Sequence, residues 1–253
     1  MSLFNKLKKK KNKLSFQEAF RLNLKYISQT EMNVKDIEKQ FIKNNNHFYL
    51  TIGEINCPTG KIIVSDPLAY LPSGRFSPVL DKTIPIGTYP VQIAIYRNES
   101  IGIRMCTAKL KIKKTNAVKY ECARSTSESA SFKAKDGDLS GFPVDAGMIS
   151  FCDERVALEY QNFLEEWYKE NSDKNHYDDY FASFFNESYH LFPQYQREGG
   201  DFIEWTNPNS HHKMVMIASG LGDGFYQSFW GYDDDNEICE LIVPMVNPDF
   251  FEK

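Results

Sequence analysis

The sequence lacks the patterns that mark several large classes of protein. Its five cysteines are odd in number, widely spaced and without a Cys-x-x-Cys pair, which argues against a disulfide framework and a structural zinc site. No run of about twenty apolar residues could span a bilayer, and no signal-peptide core follows the N-terminus. We therefore expect reduced thiols and a cytoplasmic protein.

Motifs of nucleophilic catalysis and of phosphate binding are missing as well. The sequence has no G-x-S-x-G elbow, and its five histidines lack the spacing of a zincin or a catalytic triad. The glycine loop at 220–224 lacks the Gly-Lys-Ser/Thr that completes a P-loop. The sequence assigns no catalytic residue, and we expect no cofactor and no metal.

Apolar residues are plentiful, and the charge is unevenly distributed. The 253 residues are 42% hydrophobic and 14% aromatic, enough for a globular core. The net charge is −4, yet six lysines lie within residues 1–14, so the remainder is clearly acidic. The acidic charge of the residues after 14 argues against a nucleic-acid partner. We expect residues 1–14 to form a flexible basic arm, with weak contact to an anionic membrane surface as the alternative.

The N-terminal part, residues 15–46, is predicted to form a helical cap. Ser15 and Glu18 have the spacing of a capping box, and they precede an apolar stripe that includes Leu24. Asn33 is a suitable N-cap for a second helix. The cap should therefore consist of two short amphipathic helices.

Residues 47–253 are predicted to form a single α+β domain with a mainly antiparallel β-sheet or sandwich core. A central helical pair is predicted after Asp153 and over about 177–189, and residues 124–140 are predicted to be a flexible loop. A change of parity predicts a β-bulge near Cys106 to Ala108. The predicted strands are 48–52, 61–65, 89–97, 101–113, 118–123, 142–151, 200–206, 212–218, 225–232 and 238–246.

Acidic residues next to glycines give the best candidates for a functional surface. Asp66 and Asp145 could share acid and base duties, or each could accept hydrogen bonds from backbone amides at a strand end. The loop with Asp223 could present that carboxylate, or it could simply turn tightly. The candidate surface comprises Asp66, Asp145, Gly147, Gly220, Gly222, Asp223, Gly224, Tyr226 and Asp233.

The acidic run at 233–237 has two interpretations. Asp and Asn tolerate the left-handed conformation, which favours a hairpin turn. Clustered carboxylates also suit a hard cation, so a weak calcium or magnesium site formed by Asp233 with Asp223 is the alternative, although the register of an EF-hand is broken.

Several short motifs, in this order, resemble a bacterial domain family of unknown function over about residues 60–246. They are Asp66-Pro67, Gly-Thr-Tyr-Pro-Val at 87–91, Val-Asp-Ala-Gly at 144–147, and Ser-Gly-x-Gly-Asp-Gly-x-Tyr at 219–226 with Gly231 and Asp233 downstream. The chain departs from the pattern at Gln227 and at 236–237, both in turns. The resemblance implies a fold and a candidate surface, and members of such families sometimes accompany secreted toxins as immunity proteins.

Two functions are therefore expected from different classes. The first is a non-catalytic protein-interaction module, in particular an immunity-type inhibitor of a bacterial toxin that covers a protein partner. The alternative is a carboxylate- or metal-dependent hydrolase that uses Asp66, Asp145, Asp223 and Asp233. The geometry of these four carboxylates discriminates between the two.

Overall fold

The structure, a computed structural model, describes residues 14–125 and 141–252. The predicted basic arm up to residue 13 and residues 126–140 of the predicted loop lie outside this part of the chain. Among the described residues, every helix is too short or too polar to cross a bilayer.

The fold is α+β, with a core of antiparallel sheets. Its helices are α1 (Phe16–Ile27), α2 (Val34–Glu38), α3 (Glu154–Glu170) and α4 (Ala182–Leu191). Its strands are β1 (His47–Cys57), β2 (Lys61–Ser65), β3 (Val79–Thr83), β4 (Gly87–Asn98), β5 (Gly102–Lys111), β6 (Lys119–Cys122), β7 (Gly141–Val144), β8 (Met148–Asp153), β9 (Phe202–Thr206), β10 (Lys213–Ala218), β11 (Gly224–Gln227), β12 (Phe229–Tyr232) and β13 (Ile238–Pro244).

The strands form three sheets. The first sheet has six strands in the order β1-β4-β5-β13-β12-β6, and the second has five in the order β3-β2-β8-β10-β9. Strands β11 and β7 form a two-stranded ribbon. The pairs in the described residues are antiparallel. The predicted sheet core is confirmed at this level.

The two large sheets meet along β1. This strand lies against β8, β9 and β10 of the second sheet. Gly53 has φ +150°, and a Cβ there would lie 2.7 Å from the Cβ of Glu204. The same Glu204 accepts a hydrogen bond from the amide of Glu54 at 2.8 Å. A glycine is therefore needed where β1 approaches Glu204 on β9 this closely.

The predicted bulge lies in the β4–β5 hairpin. Ala94 pairs with Thr107 and Ile95 pairs with Met105, so Cys106 is the extra residue. Its carbonyl accepts hydrogen bonds from the amides of residues 245 and 246, at 2.7 and 3.0 Å. The bulge thereby anchors the segment that follows β13.

The N-terminal helices pack against the sheets through buried polar groups. The capping box of Ser15 and Glu18 is present, and Asn33 caps α2. The side chain of Asn23 donates to the carbonyl of Met245 at 2.9 Å. This bond orients Asn23 inward, and the predicted apolar stripe is wrong at Leu24, which is exposed.

Two predicted strands differ from the structure, and one observed strand was not predicted. The predicted strand 142–151 is two strands in different sheets, β7 and β8, because the chain turns at 145–147, where Gly147 has φ +65°. The predicted strand 225–232 is likewise divided between β11 and β12. Strand β3 was not predicted, since it is short and mostly exposed on a polar sequence.

An aromatic core joins α3 and the segment before α4 to the second sheet. Trp205 on β9 lies at ring-centroid distances of 5.3 Å from Tyr160 and Phe163 and 5.8 Å from Phe181. Asp153 caps α3 by accepting the amide of residue 155 at 2.9 Å. These contacts hold the helical pair against β9.

Cys57, Cys106, Cys152 and Cys239 are free thiols. Four are buried, and Cys122 is half-buried. Burial raises the pKa of the Cys57 thiol to about 12 and also raises the pKa values of Cys106 and Cys152. These thiols stay protonated at neutral pH, as expected for core residues.

Candidate functional site

Asp66 joins two turns that are distant in sequence. It is fully buried just after β2. One carboxylate oxygen accepts the amides of Leu68 and Ala69 at 2.9 and 3.0 Å. The other accepts the amides of Asp145 and Ala146 at 2.9 and 2.7 Å. Four backbone donors thus occupy the carboxylate, which holds the two turns together and leaves it poorly placed for acid–base chemistry.

Asp145 lies in the second of these turns and is exposed. Its Oδ2 accepts a hydrogen bond of 2.6 Å from the hydroxyl of Tyr70. That bond is the main cause of a raised pKa at Tyr70. The turn ends at Gly147, whose carbonyl accepts the amide of Ser219 at 2.9 Å. The Asp66 and Asp145 turns are therefore linked directly to the glycine-rich loop.

The glycine-rich loop, residues 219–223, connects β10 to β11. Gly220 has φ +73°, and a Cβ there would lie 2.7 Å from Val246 Cγ2 and 2.9 Å from the carbonyl oxygen of Met105. Gly222 has φ +103°, but a Cβ there would meet nothing within 4 Å. Of Gly220 and Gly222, Gly220 is thus the one that close packing as well as backbone conformation requires.

Tyr226 stabilises the loop through its hydroxyl group. Its buried hydroxyl lies 2.6 Å from the carbonyl oxygens of both Ser219 and Gly222. The hydroxyl of Ser219 also donates to the Gly222 carbonyl at 2.8 Å. Burial raises the pKa of Tyr226 to about 12, so it remains a hydrogen-bond donor at neutral pH.

Asp223 is exposed at the end of this loop, immediately before Gly224 begins β11. Its Oδ1 is 3.9 Å from the position that a Cβ on Gly147 would take. The structure therefore brings Asp145–Gly147 and the loop to one surface, which we call the glycine-loop face, and the buried Asp66 carboxylate holds the Asp145 turn in place.

Asp233 does not belong to the glycine-loop face. It lies in the hairpin turn between β12 and β13, where its carboxylate accepts the hydroxyl of Thr115 at 2.8 Å and the amide of Glu237 at 3.0 Å. Asn236 adopts φ +59° in the same turn. These contacts lower the pKa of Asp233, with the Thr115 hydrogen bond first among the causes. The geometry is that of a hairpin turn.

A second buried charged group was missed by the sequence analysis. Glu240 on β13 lies 3.2 Å from Lys109 Nζ and 2.8 Å from Lys111 Nζ, and it accepts a 2.5 Å hydrogen bond from the Tyr120 hydroxyl. We call these four residues the Glu240 cluster. A cavity of about 390 Å³ lies beside it. Alternating lysines on one strand were the available signal, but only the β5–β13 pairing places Glu240 opposite Lys111.

Burial and pairing act against each other in the Glu240 cluster. Burial opposes ionisation of Glu240, but the two lysines and Tyr120 outweigh it and lower its pKa. Burial dominates at Lys109, whose pKa is lowered despite its partner. Burial, followed by the charge of Glu240, raises the pKa of Tyr120. Perturbed groups beside a cavity are candidates for function as well as for structure.

Among residues 14–125 and 141–252, no three His, Cys, Asp or Glu side chains are grouped so that they could hold a metal ion.

A family model described as "Protein of unknown function (DUF4241)" matches residues 55–243. The chain belongs to this family. No curated protein and no solved structure matches the chain. The DUF4241 match includes the glycine-loop face, the Asp233 hairpin and the Glu240 cluster, whereas α1 and α2 precede it.

Proposed function

We propose that this DUF4241 protein is a non-catalytic protein-interaction module, and more specifically an immunity-type inhibitor of a toxin. The observation that supports this most is the acidic helical segment, residues 154–192. It contains nine acidic residues and three basic ones. Its exposed side chains include Leu158, Tyr177, Leu191 and Phe192, and Leu191 is 73% exposed.

Large apolar side chains within a charged surface are typical of protein-binding sites. Exposed aromatic and leucine side chains provide the contact area, and the surrounding carboxylates favour a partner of opposite charge. We therefore infer a protein partner with a basic surface. Such a partner would associate faster at low ionic strength than at high ionic strength.

The hydrolase alternative depends on four carboxylates acting together. Asp145 and Asp223 are both exposed near Gly147, which favours it. Two observations weigh against it: backbone amides occupy the Asp66 carboxylate, and Asp233 lies in a separate hairpin. The interaction function is therefore the better supported of the two.

The test is affinity capture from the native host with two matched double variants, followed by measurement of the affinity for the captured protein. Glu165→Lys with Glu166→Lys reverses two exposed charges on α3, and Asp234→Lys with Asp235→Lys does the same on the β12–β13 hairpin. We expect binding about tenfold weaker for the helix variant and unchanged for the hairpin variant.

Two further outcomes would count against the helical segment. Equal binding by both double variants would exclude it as the contact surface. Loss of the partner in Asp145→Ala or Asp223→Ala, with the helix variant still binding, would assign recognition to the glycine-loop face. Turnover of a substrate by the purified chain, abolished in those two single variants, would favour the hydrolase.

A further inference from the structure

A cavity of about 270 Å³ lies beside the glycine-rich loop. Its lining combines two arginines, Arg104 and Arg197, with Gly147, Gly220 and Gly222. The sequence alone singled out neither Arg104 nor Arg197. A cavity lined by positive side chains and glycine backbone suits an anion, because guanidinium groups and backbone amides both donate hydrogen bonds to anionic oxygens.

Arg104 is the unusual member of this lining. Its Nη1 donates to the carbonyl of Ile103 at 2.8 Å, while its Nε is buried and has no acceptor among the described residues. Asp201 is a carboxylate whose charge acts on Arg104, in the direction that stabilises the charged guanidinium. Burial, followed by the charge of Arg197, lowers the pKa of Arg104. A buried donor without an acceptor is unfavourable, and a ligand oxygen would satisfy it.

Arg197 contributes little net charge to the cavity. Its Nε and Nη2 lie 2.8 and 2.6 Å from Oδ1 of Asp201, which is 1% exposed. Because the charge of Asp201 acts on both arginines, Arg104, Arg197 and Asp201 together carry one net positive charge. Asp223 near Gly147 adds a negative charge close by. This balance favours a ligand with one negative charge over one with two.

The loop backbone supplies further donors. The amides of residues 220, 221 and 222 donate to no acceptor within the described residues. A Cβ at Gly222 would meet nothing within 4 Å, so the space beside this part of the loop is open. Successive free amides in a turn of this kind bind oxyanions.

We propose that this cavity binds a small organic ligand through a carboxylate group, which pairs with the guanidinium of Arg104. The planar fork of arginine matches the two oxygens of a carboxylate. The single net positive charge selects this group over a doubly charged phosphate. The cavity shares Tyr177 with the acidic helical segment. The two proposals are tested at different residues, Arg104 here and Glu165 with Glu166 there, so either proposal can fail without the other.

The test is calorimetric titration of the full chain with acetate, benzoate and inorganic phosphate at constant ionic strength. We expect saturable binding of a carboxylate, roughly tenfold or more weaker in Arg104→Gln, since a charge-assisted hydrogen-bond pair is lost. Arg21→Gln, which removes an exposed arginine of α1, should bind as the unaltered chain does. Binding that persists in Arg104→Gln, phosphate binding as tight as that of the carboxylates, or the absence of saturable carboxylate binding would each overturn the proposal.

A second measurement uses the unaltered chain, so it does not depend on whether Arg104→Gln folds. In the ¹⁵N-labelled chain, the Nε–H resonance of Arg104 should shift on addition of the carboxylate, because its nitrogen gains an acceptor. The Nε–H resonance of Arg21 should not move. An unchanged Arg104 resonance at saturating carboxylate would contradict the assignment.

Discussion

Asp66 and Glu240 are both buried carboxylates, but the protein satisfies them in different ways. Backbone amides from two turns surround Asp66. Side chains alone surround Glu240, two of them flexible lysines. Amides cannot move unless the chain moves, whereas a lysine can turn its ammonium group toward water. Asp66 therefore fixes the course of the chain, and Glu240 fixes only its neighbouring side chains.

The largest effect should come from Asp66→Asn. The new NH₂ group would face amide donors in place of an acceptor, so we expect the free energy of unfolding to fall by about 3 kcal/mol. Urea denaturation measures this. Asp145→Asn, at an exposed carboxylate in the adjoining turn, is the control and should change stability by less than about 0.5 kcal/mol. Similar losses in both variants would contradict the role given to Asp66.

A smaller effect is expected at the loop that the Asp66 turns support. Gly220→Ala combines a strained φ with a close approach to Val246 and should lower the free energy of unfolding by about 2 kcal/mol. Gly222→Ala meets only the backbone strain, so a loss of about 1 kcal/mol is expected. Thermal unfolding of the pair gives the difference. Equal losses would mean that packing at Gly220 is unimportant.

The smallest effect is expected for Glu240→Gln, about 1 kcal/mol at neutral pH, because Lys111 can rehydrate once its partner is neutral. Because the pKa of Glu240 is lowered in the folded protein, its contribution to stability depends on pH. Its stabilising contribution is full above the ordinary value of 4.5 and is lost as pH falls through the lower folded value. Denaturation at pH 7 and below 4.5 should show the two proteins converging in acid. A loss larger than that of Asp66→Asn would reverse the comparison.

Local signals in the sequence predicted much of the fold. The Ser15 and Glu18 capping box, the Asn33 cap and the Asp153 cap depend on neighbours within three residues, so the sequence alone contains them. The bulge at Cys106 was visible because it changes the parity of one strand. Such features need no knowledge of the rest of the chain.

Features that depend on distant contacts were not predictable in this way. Residues 142–151 have a continuous apolar pattern, yet the Asp66 carboxylate holds residues 145 and 146 in a turn. Leu24 has helical spacing with other apolar residues, but the Asn23 hydrogen bond to the C-terminal segment rotates the buried face.

The candidate site shows the same division. The acids beside glycines were identifiable from local sequence. The Glu240 cluster and Arg104 were not, because their environments come from the pairing of β5 with β13 and from the cavity beside the loop. The partner of a charged side chain on a strand can be identified only when the neighbouring strand is known.

The bonds from Asp66 join residues 79 and 80 positions apart in the chain. The amides of Asp145 and Ala146 belong to a surface turn, where hydrogens normally exchange quickly with solvent. Here they can exchange only when the carboxylate releases them, which requires β2 and the β7–β8 turn to separate. The exchange rates of these two amide hydrogens therefore report how often this part of the second sheet opens, and they can be measured on the unaltered chain.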